Sequence, residues 1–151
     1  MGRRLLCVGS VVVVLLAACS SEMSKEDAKA SYFVIASTAN PQIDQAKAQL
    51  GVDESGNLTD PSKLGPFCQT MSTIFQNFIN DMNGVEWPES VKEQATEVVS
   101  TSAEATQFLS TCAASGGATP PEAVGQLMGA LERNQAAVSA FRGVLGIPVA
   151  R

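Results

Sequence analysis

Apolar residues recur every three or four positions along most of this chain, and this spacing is the feature that most restricts its fold. Between residues 67 and 82, seven large apolar side chains share one helical face: Phe67, Met71, Ile74, Phe75, Phe78, Ile79 and Met82. A period of about 3.6 residues is typical of an amphipathic α-helix that buries one side. Gly84 follows and ends the pattern. The segment is therefore predicted to be a helix that supplies much of the core.

A similar pattern precedes this segment. A capping-box pattern beginning at Ser24 predicts a helix over about residues 25–39. Its inward-facing residues are predicted to be Ala28, Tyr32, Ile35, Ala36 and Ala39. Pro41 then suits the first turn of a new helix that ends at Gly51, although one kinked helix would have the same sequence. Residues 51–66 are rich in Gly, Asp, Ser and Pro and are predicted to be a loop.

Two more helices are predicted towards the C-terminus. Trp87-Pro88 precedes the third, and Thr119-Pro120-Pro121-Glu122 resembles a capping box for the fourth, which ends near Leu145-Gly146-Ile147-Pro148. The predicted inward faces are Val91, Ala95, Val98, Ser102, Ala105, Phe108, Leu109 and Cys112 in the third, and Val124, Leu127, Met128, Leu131, Val138 and Phe141 in the fourth. No alternating strand pattern is present. The predicted fold is therefore all-α, an antiparallel four-helix bundle with a kinked or broken first helix.

The first eighteen residues have the three parts of an export signal. Arg3 and Arg4 give the charged start, and an apolar run from Leu5 to Ala18 follows. The run is shorter than the roughly 20 residues that span a bilayer. It ends in Leu16-Ala17-Ala18-Cys19, which resembles the lipobox of bacterial lipoproteins. The resemblance implies transfer of a diacylglyceryl group to the Cys19 sulfur and cleavage just before this residue.

The lipobox resemblance sets the expected domains and location. Residues 1–18 are expected to be the signal peptide, residues 19–24 a short lipidated tether and residues 25–151 the helical domain. Each buried methylene stabilises an acyl anchor by about 0.8 kcal/mol, so palmitate-type chains at Cys19 would hold the protein at the membrane. The expected location is the extracytoplasmic face of the cell membrane, with the acyl anchor as the membrane contact.

Four further features resemble small helical lipoproteins of actinobacteria. They are Tyr32 in the first helix, Asn40-Pro41, Trp87-Pro88 followed by Val91, and the terminal Leu145-Gly146-Ile147-Pro148. The resemblance covers most of the chain. It implies a lipid-anchored helical protein and no particular activity or cofactor.

Cys68 and Cys112 are predicted to form a disulfide. Of the four cysteines, Cys7 would leave with the signal and Cys19 would carry lipid. The remaining two would then be alone in an oxidising compartment, where such pairs form disulfides.

The helix register raises a difficulty for this disulfide. If the second and third helices pair about a turn near residues 84–87, Cys68 lies opposite about residue 103, roughly 13 Å short of Cys112. A disulfide requires Cα atoms within about 7 Å. An extended Gly65-Pro66-Phe67-Cys68 segment would close the gap, as would a strongly skewed helix pair. We expect the extended segment, with the regular helix beginning only near Thr70.

Composition excludes several functions. The chain has no histidine, which rules out Ser-His-Asp and Cys-His catalytic sites and mixed Cys/His zinc sites within it. Its 10 basic residues are dispersed among 15 acidic ones, which argues against binding to nucleic acid. The acidic loop after Gly51 fails the EF-hand pattern, because Gly51 would stand where the first aspartate is needed. We expect no enzyme activity, no metal and no cofactor.

Two functions remain. The first is a structural or interaction module of the cell envelope that offers a helix face to a protein partner. The alternative is a binding module for a small apolar or lipid-like ligand between helices. The residues that would supply such a cavity are Met71, Phe75, Phe78, Met82 and Met128. The sequence favours the first, because no polar group in it is seen to converge on these positions and orient a ligand.

Overall fold

The computed structural model describes residues 22–51, 59–116, 118 and 120–148. Within these ranges the chain forms four α-helices and one short 3-10 helix, without a strand. The helices are α1 (Lys25–Leu50), α2 (Leu64–Asn83), α3 (Glu89–Ala114) and α4 (Pro121–Val144), with the 3-10 helix at Pro61–Lys63. The all-α bundle predicted from the sequence is confirmed. The signal peptide and Cys19 lie outside the described residues.

Consecutive helices pack side by side and antiparallel: α1 on α2, α2 on α3, and α3 on α4. Their apolar faces form two clusters. One joins the beginnings of α1 and α3 to the ends of α2 and α4, around Met82 and Phe141. The other lies at the opposite end of the bundle, around Cys68 and Leu109. Phe78 packs against both clusters and connects them.

Helix α1 is continuous through Pro41, so of the two alternatives the break is wrong. The predicted cap is present, since the Ser24 hydroxyl accepts from the Asp27 amide at 3.1 Å. Proline removes one backbone hydrogen bond, but both halves of the helix bury apolar residues, Tyr32 in the first cluster and Ala46 in the second. This packing explains why the helix continues. It ends at Gly51, whose φ of 69° is in the left-handed region that favours glycine.

The expected extended segment before Thr70 is wrong, because α2 is already helical from Leu64 and includes Cys68. The predicted loop is correspondingly shorter, and residues 52–58 of it lie outside the described part of the chain. The disulfide nevertheless forms, with the Cα atoms of Cys68 and Cys112 5.9 Å apart. The connection between α2 and α3, rather than an extended segment, therefore closes the predicted gap between the two cysteines.

That connection shifts the register of the helix pair. The contacts between Cys68 and Cys112, and between the Ser72 and Ser110 hydroxyls at 3.1 Å, place the end of α2 level with about residue 98. Helix α3 therefore begins about two turns beyond the end of α2. The intervening residues 84–88 are non-helical and can reach about 16 Å at roughly 3.3 Å per residue, enough to cover the shortfall. The predicted gap of roughly 13 Å is wrong because α3 does not begin level with the end of α2.

The predicted inward face of α3 is confirmed: its residues are buried, with Phe108 half-buried. Helix α4 begins at Pro121 with Pro120 as its N-cap and no side-chain cap, in place of the predicted capping box. Thr119, the expected cap, lies outside the described residues. The predicted C-terminus is confirmed, since Gly146 has a φ of 71° and the Ile147 amide donates to the Arg142 carbonyl at 2.9 Å.

Two α4 residues predicted to face inward are exposed instead. Val124 is 39% exposed and Met128 is 52% exposed. The reason is that α1 does not close over α4, so this part of the α4 stripe has no helix to pack against. None of the helices in the described part of the chain is long and apolar enough to cross a bilayer.

Candidate functional site

A groove separates α1 from α4. Each of these helices packs along its neighbour in sequence, but their backbones approach one another at few points. At one end the Tyr32 ring meets the Phe141 ring edge-on, with centroids 5.3 Å apart. The groove has a volume of about 350 Å³, with α2 as its floor and α1 and α4 as its walls. It is within the range of small-molecule sites, at the lower end of about 300–1,000 Å³.

The lining residues follow the spacing of a helix-bundle core. The floor residues are Phe67, Met71, Ile74, Phe75 and Phe78, and the walls are formed by Tyr32, Ala36, Ala39, Asn40, Ile43 and Lys47 of α1 and Leu131, Asn134, Gln135 and Val138 of α4. Residues spaced alternately by four and three positions lie on one stripe of a helix, which in a bundle faces the central axis. Ala36, Asn40, Ile43 and Lys47 of α1 have this spacing. In a closed bundle the two wall stripes would meet each other. Here the gap between them remains open.

The floor is held in place by the disulfide. Cys68 and Cys112 are both buried, and their bond ties the start of α2 to the end of α3. Met71 and Phe75, one and two turns further along α2, belong to the same apolar cluster. The floor therefore belongs to a helix that is covalently linked to α3.

Polar side chains converge on this apolar groove. Asn134 is buried and its Nδ2 donates to the Ser102 hydroxyl at 2.8 Å and to the Thr101 hydroxyl at 3.2 Å. These bonds to α3 fix the amide at the groove wall. Gln135 and Asn40 are exposed and line opposite walls. The groove thus combines an apolar floor with hydrogen-bonding groups along its sides.

Tyr32 lies at the end of the groove where α1 and α4 meet. Its ring is held by Phe141, which in turn meets Trp87 edge-on at 5.1 Å. Burial raises the pKa of the Tyr32 phenol, although the nearby Arg142 lowers it in part. The phenol therefore stays neutral near pH 7 and can donate a hydrogen bond. No residue of the described ranges hydrogen-bonds to this hydroxyl, so it is available to a ligand.

Lys47 lies at the other end of α1 and is the one charged residue among those that line the groove. Its side chain is exposed, and the ion pairs among the described residues are Lys92–Glu89 and Arg133–Glu104, neither of which includes it. Asp44 precedes it by one turn but does not line the groove. The lining thus carries one positive charge in a chain whose formal net charge is −5.

The structure brings together some of the residues proposed for an apolar cavity and separates others. Met71, Phe75 and Phe78 line the groove, whereas Met82 is fully buried in the core and Met128 lies outside the groove on the exposed part of α4. The core position of Met82 and the exposure of Met128 correct the prediction that they supply the cavity.

Sequence reasoning missed the two walls. The signal was present, since Asn40, Lys47 and Gln135 occupy positions in four-three stripes where a closed bundle needs apolar residues. Polar groups at such positions indicate that the stripe is not fully covered.

Of the other predicted site residues, Cys19 lies outside the described part of the chain. On the outer face of α3, Glu89, Glu93 and Glu97 are exposed and Glu104 is half-buried. Glu104 accepts from Arg133 of α4 at 2.5 and 3.2 Å, which raises the pKa of the Arg133 guanidinium. Within the described ranges, no three potential metal ligands come together.

The groove therefore has to be interpreted from its own geometry, because comparisons with protein-family models, curated proteins and solved structures find no match to this chain.

Proposed function

We propose that this protein is an extracytoplasmic lipoprotein, anchored to the cell membrane through Cys19, whose helical domain binds a lipid-like ligand between α1 and α4. The observation that carries the ligand-binding role is the open groove, with a floor of aromatic and methionine side chains and polar groups on both walls. The lipobox resemblance supports the anchor and the location. Lipid-like ligands are abundant at such a location.

The polar groups along the groove favour the ligand-binding function over the interaction module, the two functions that the sequence left open. An interaction module was favoured there because no orienting polar group was apparent. Gln135, Asn40 and the Tyr32 hydroxyl supply such groups beside the apolar floor. Sites for small molecules combine a mainly apolar lining with a few polar groups in this way.

The number of methylenes that a ligand can bury decides which apolar ligands bind in the groove. Each buried methylene contributes about 0.8 kcal/mol, and association costs roughly 4 kcal/mol or more, so a ligand must bury roughly ten methylenes to bind measurably. A small apolar molecule does not offer this area. A long-chain lipid does.

The test is to look for the ligand in protein taken from its own cells. Native mass spectrometry of the full-length, detergent-extracted protein is expected to show a bound small molecule in addition to the covalent lipid. Ala36→Phe places a ring in the groove and should lose that molecule, because Ala36 lines the α1 wall. Ala30→Phe is the matched control, since Ala30 is exposed and lies outside the groove. Equal ligand content in both variants would contradict the proposal.

A protein-binding role is the second candidate, and exposed apolar side chains at two separate places favour it. Phe33 and Val34 of α1 are 50% and 68% exposed, and Met128 of α4 is 52% exposed. Contiguous exposed apolar side chains mark contact surfaces more than isolated ones do, and Phe33 and Val34 are consecutive. A photo-crosslinking residue placed at Met128 should give a specific product in cells that is absent when the same residue replaces the exposed neighbour Gln126.

A further inference from the structure

We propose that the ligand of the α1–α4 groove is a long-chain fatty acid, with its carboxylate beside Lys47 and its chain running along α2 towards Tyr32. This inference rests on the proposed lipid-binding function and specifies the head group and the orientation. Three observations carry it: the length of the groove, its narrowness and the position of its one charge.

The groove has the shape of one acyl chain. At about 1.5 Å per residue, α1 extends about 22 Å from Tyr32 to Lys47, and both residues line the groove. A volume of about 350 Å³ over this length leaves room for one chain. A two-chain phospholipid therefore does not fit, and a single-chain amphiphile does.

The charge of the lining selects the head group. Lys47 is the one ionised side chain of the lining, and it stands at one end rather than midway along the floor. A single ammonium group neutralises a single negative charge, such as that of a carboxylate. A doubly charged phosphate monoester would leave one charge unpaired. The side chain is exposed, so the bound carboxylate stays at the mouth of the groove, in contact with water.

Because the protein is acidic overall, a preference for an anionic ligand would indicate a specific head-group site. The chain has a formal net charge of −5, and an acidic protein repels anions in general. An apolar groove without a specific head-group site would therefore bind a cationic amphiphile best and an anionic one worst. Preference for the anion requires a local cation, and Lys47 is the residue in position to supply it.

The experiment measures displacement of a neutral apolar dye, N-phenyl-1-naphthylamine, from the folded Cys19→Ala protein purified after export. Three competitors with twelve-carbon chains are compared: laurate and dodecyltrimethylammonium below their micelle concentrations, and dodecanol below its solubility limit. We expect laurate to displace the dye at a concentration about twofold to fivefold lower than dodecanol, which is the effect of one exposed ion pair.

Variants then assign the preference to its residue. Lys47→Gln should remove the advantage of laurate and leave dodecanol unchanged, and Lys47→Glu should make dodecyltrimethylammonium the best competitor. Lys92→Gln is the control, because Lys92 is an exposed lysine of α3 that lies outside this groove. It should behave as the unaltered protein does.

The outcomes separate this inference from the proposed function. If dodecanol and laurate displace the dye equally, or if Lys47→Gln keeps the preference for laurate, the head-group assignment is wrong while lipid binding stands. If none of the three competitors displaces the dye, lipid binding itself is refuted.

Discussion

Removing the disulfide between Cys68 and Cys112 should be among the more costly changes to this bundle. The bond joins positions separated by 44 residues, and the loss of chain entropy in the unfolded state corresponds to about 4 kcal/mol. Small domains have about 5–15 kcal/mol of total stability. The double variant Cys68→Ala/Cys112→Ala should therefore lose a large share of its free energy of unfolding.

The assay is urea unfolding followed by far-ultraviolet circular dichroism, with the Cys19→Ala protein as the reference. We expect a loss of about 4 kcal/mol and a fully helical folded spectrum, because α2 and α3 also pack along their length. Ser72→Ala/Ser110→Ala is the matched control one turn away. It removes a hydroxyl pair 3.1 Å apart but keeps the covalent link, and should cost less than about 1.5 kcal/mol.

A loss below about 1 kcal/mol in the cysteine variant, or an equal loss in the serine variant, would refute this reasoning. The first result would mean that the ends of α2 and α3 are held together without the bond. The second would mean that local packing, rather than the constraint on the unfolded chain, accounts for the effect.

Three further predictions concern the anchor, one phenol and two glycines. Cys19→Ala should abolish labelling by exogenous palmitate and partition into the detergent phase; a variant that stays labelled would contradict the lipobox interpretation. Tyr32 is the one tyrosine of the chain, so ultraviolet absorbance titration reports it directly; its midpoint should exceed that of the urea-unfolded protein, and stability should fall as pH rises above about 10, where the unfolded phenol ionises first. Tyr32→Phe should remove that alkaline loss. Gly125→Ala should raise the free energy of unfolding by about 0.5–1 kcal/mol, because the helical position is exposed with nothing within 4 Å of an added Cβ. Gly146→Ala should lower it by about 1 kcal/mol, since the φ of 71° strains an alanine, and thermal denaturation distinguishes the two.

The helices could be predicted from the sequence because each buries one face, and spacing alone reveals such a face. The inward face of α3 is an example, since all its predicted residues are buried or half-buried. The disulfide partners followed from the cysteine count and the predicted export signal. Neither argument requires knowledge of how the helices are placed in space.

The register of α3 against α2 and the gap between α1 and α4 could not be predicted, because both depend on contacts between residues distant in sequence. The connection at residues 84–88 displaces α3 along the bundle axis, and no local pattern encodes its direction. Pro41 similarly interrupts the sequence pattern but not the helix, because α1 packs on both sides of it. The open groove results from the separation of α1 and α4, although polar residues such as Asn40 in a wall stripe indicated it.

The methionine methyl groups provide the most direct test of ligand binding between α1 and α4. Met71 lies in the groove floor, Met82 is buried in the core and Met128 is exposed on α4 outside the groove. In a protein labelled with ¹³C at the methionine methyls, titration with laurate should shift the Met71 resonance and leave those of Met82 and Met128 nearly unchanged. A shift confined to Met128, or no shift at Met71 at saturating laurate, would contradict the account.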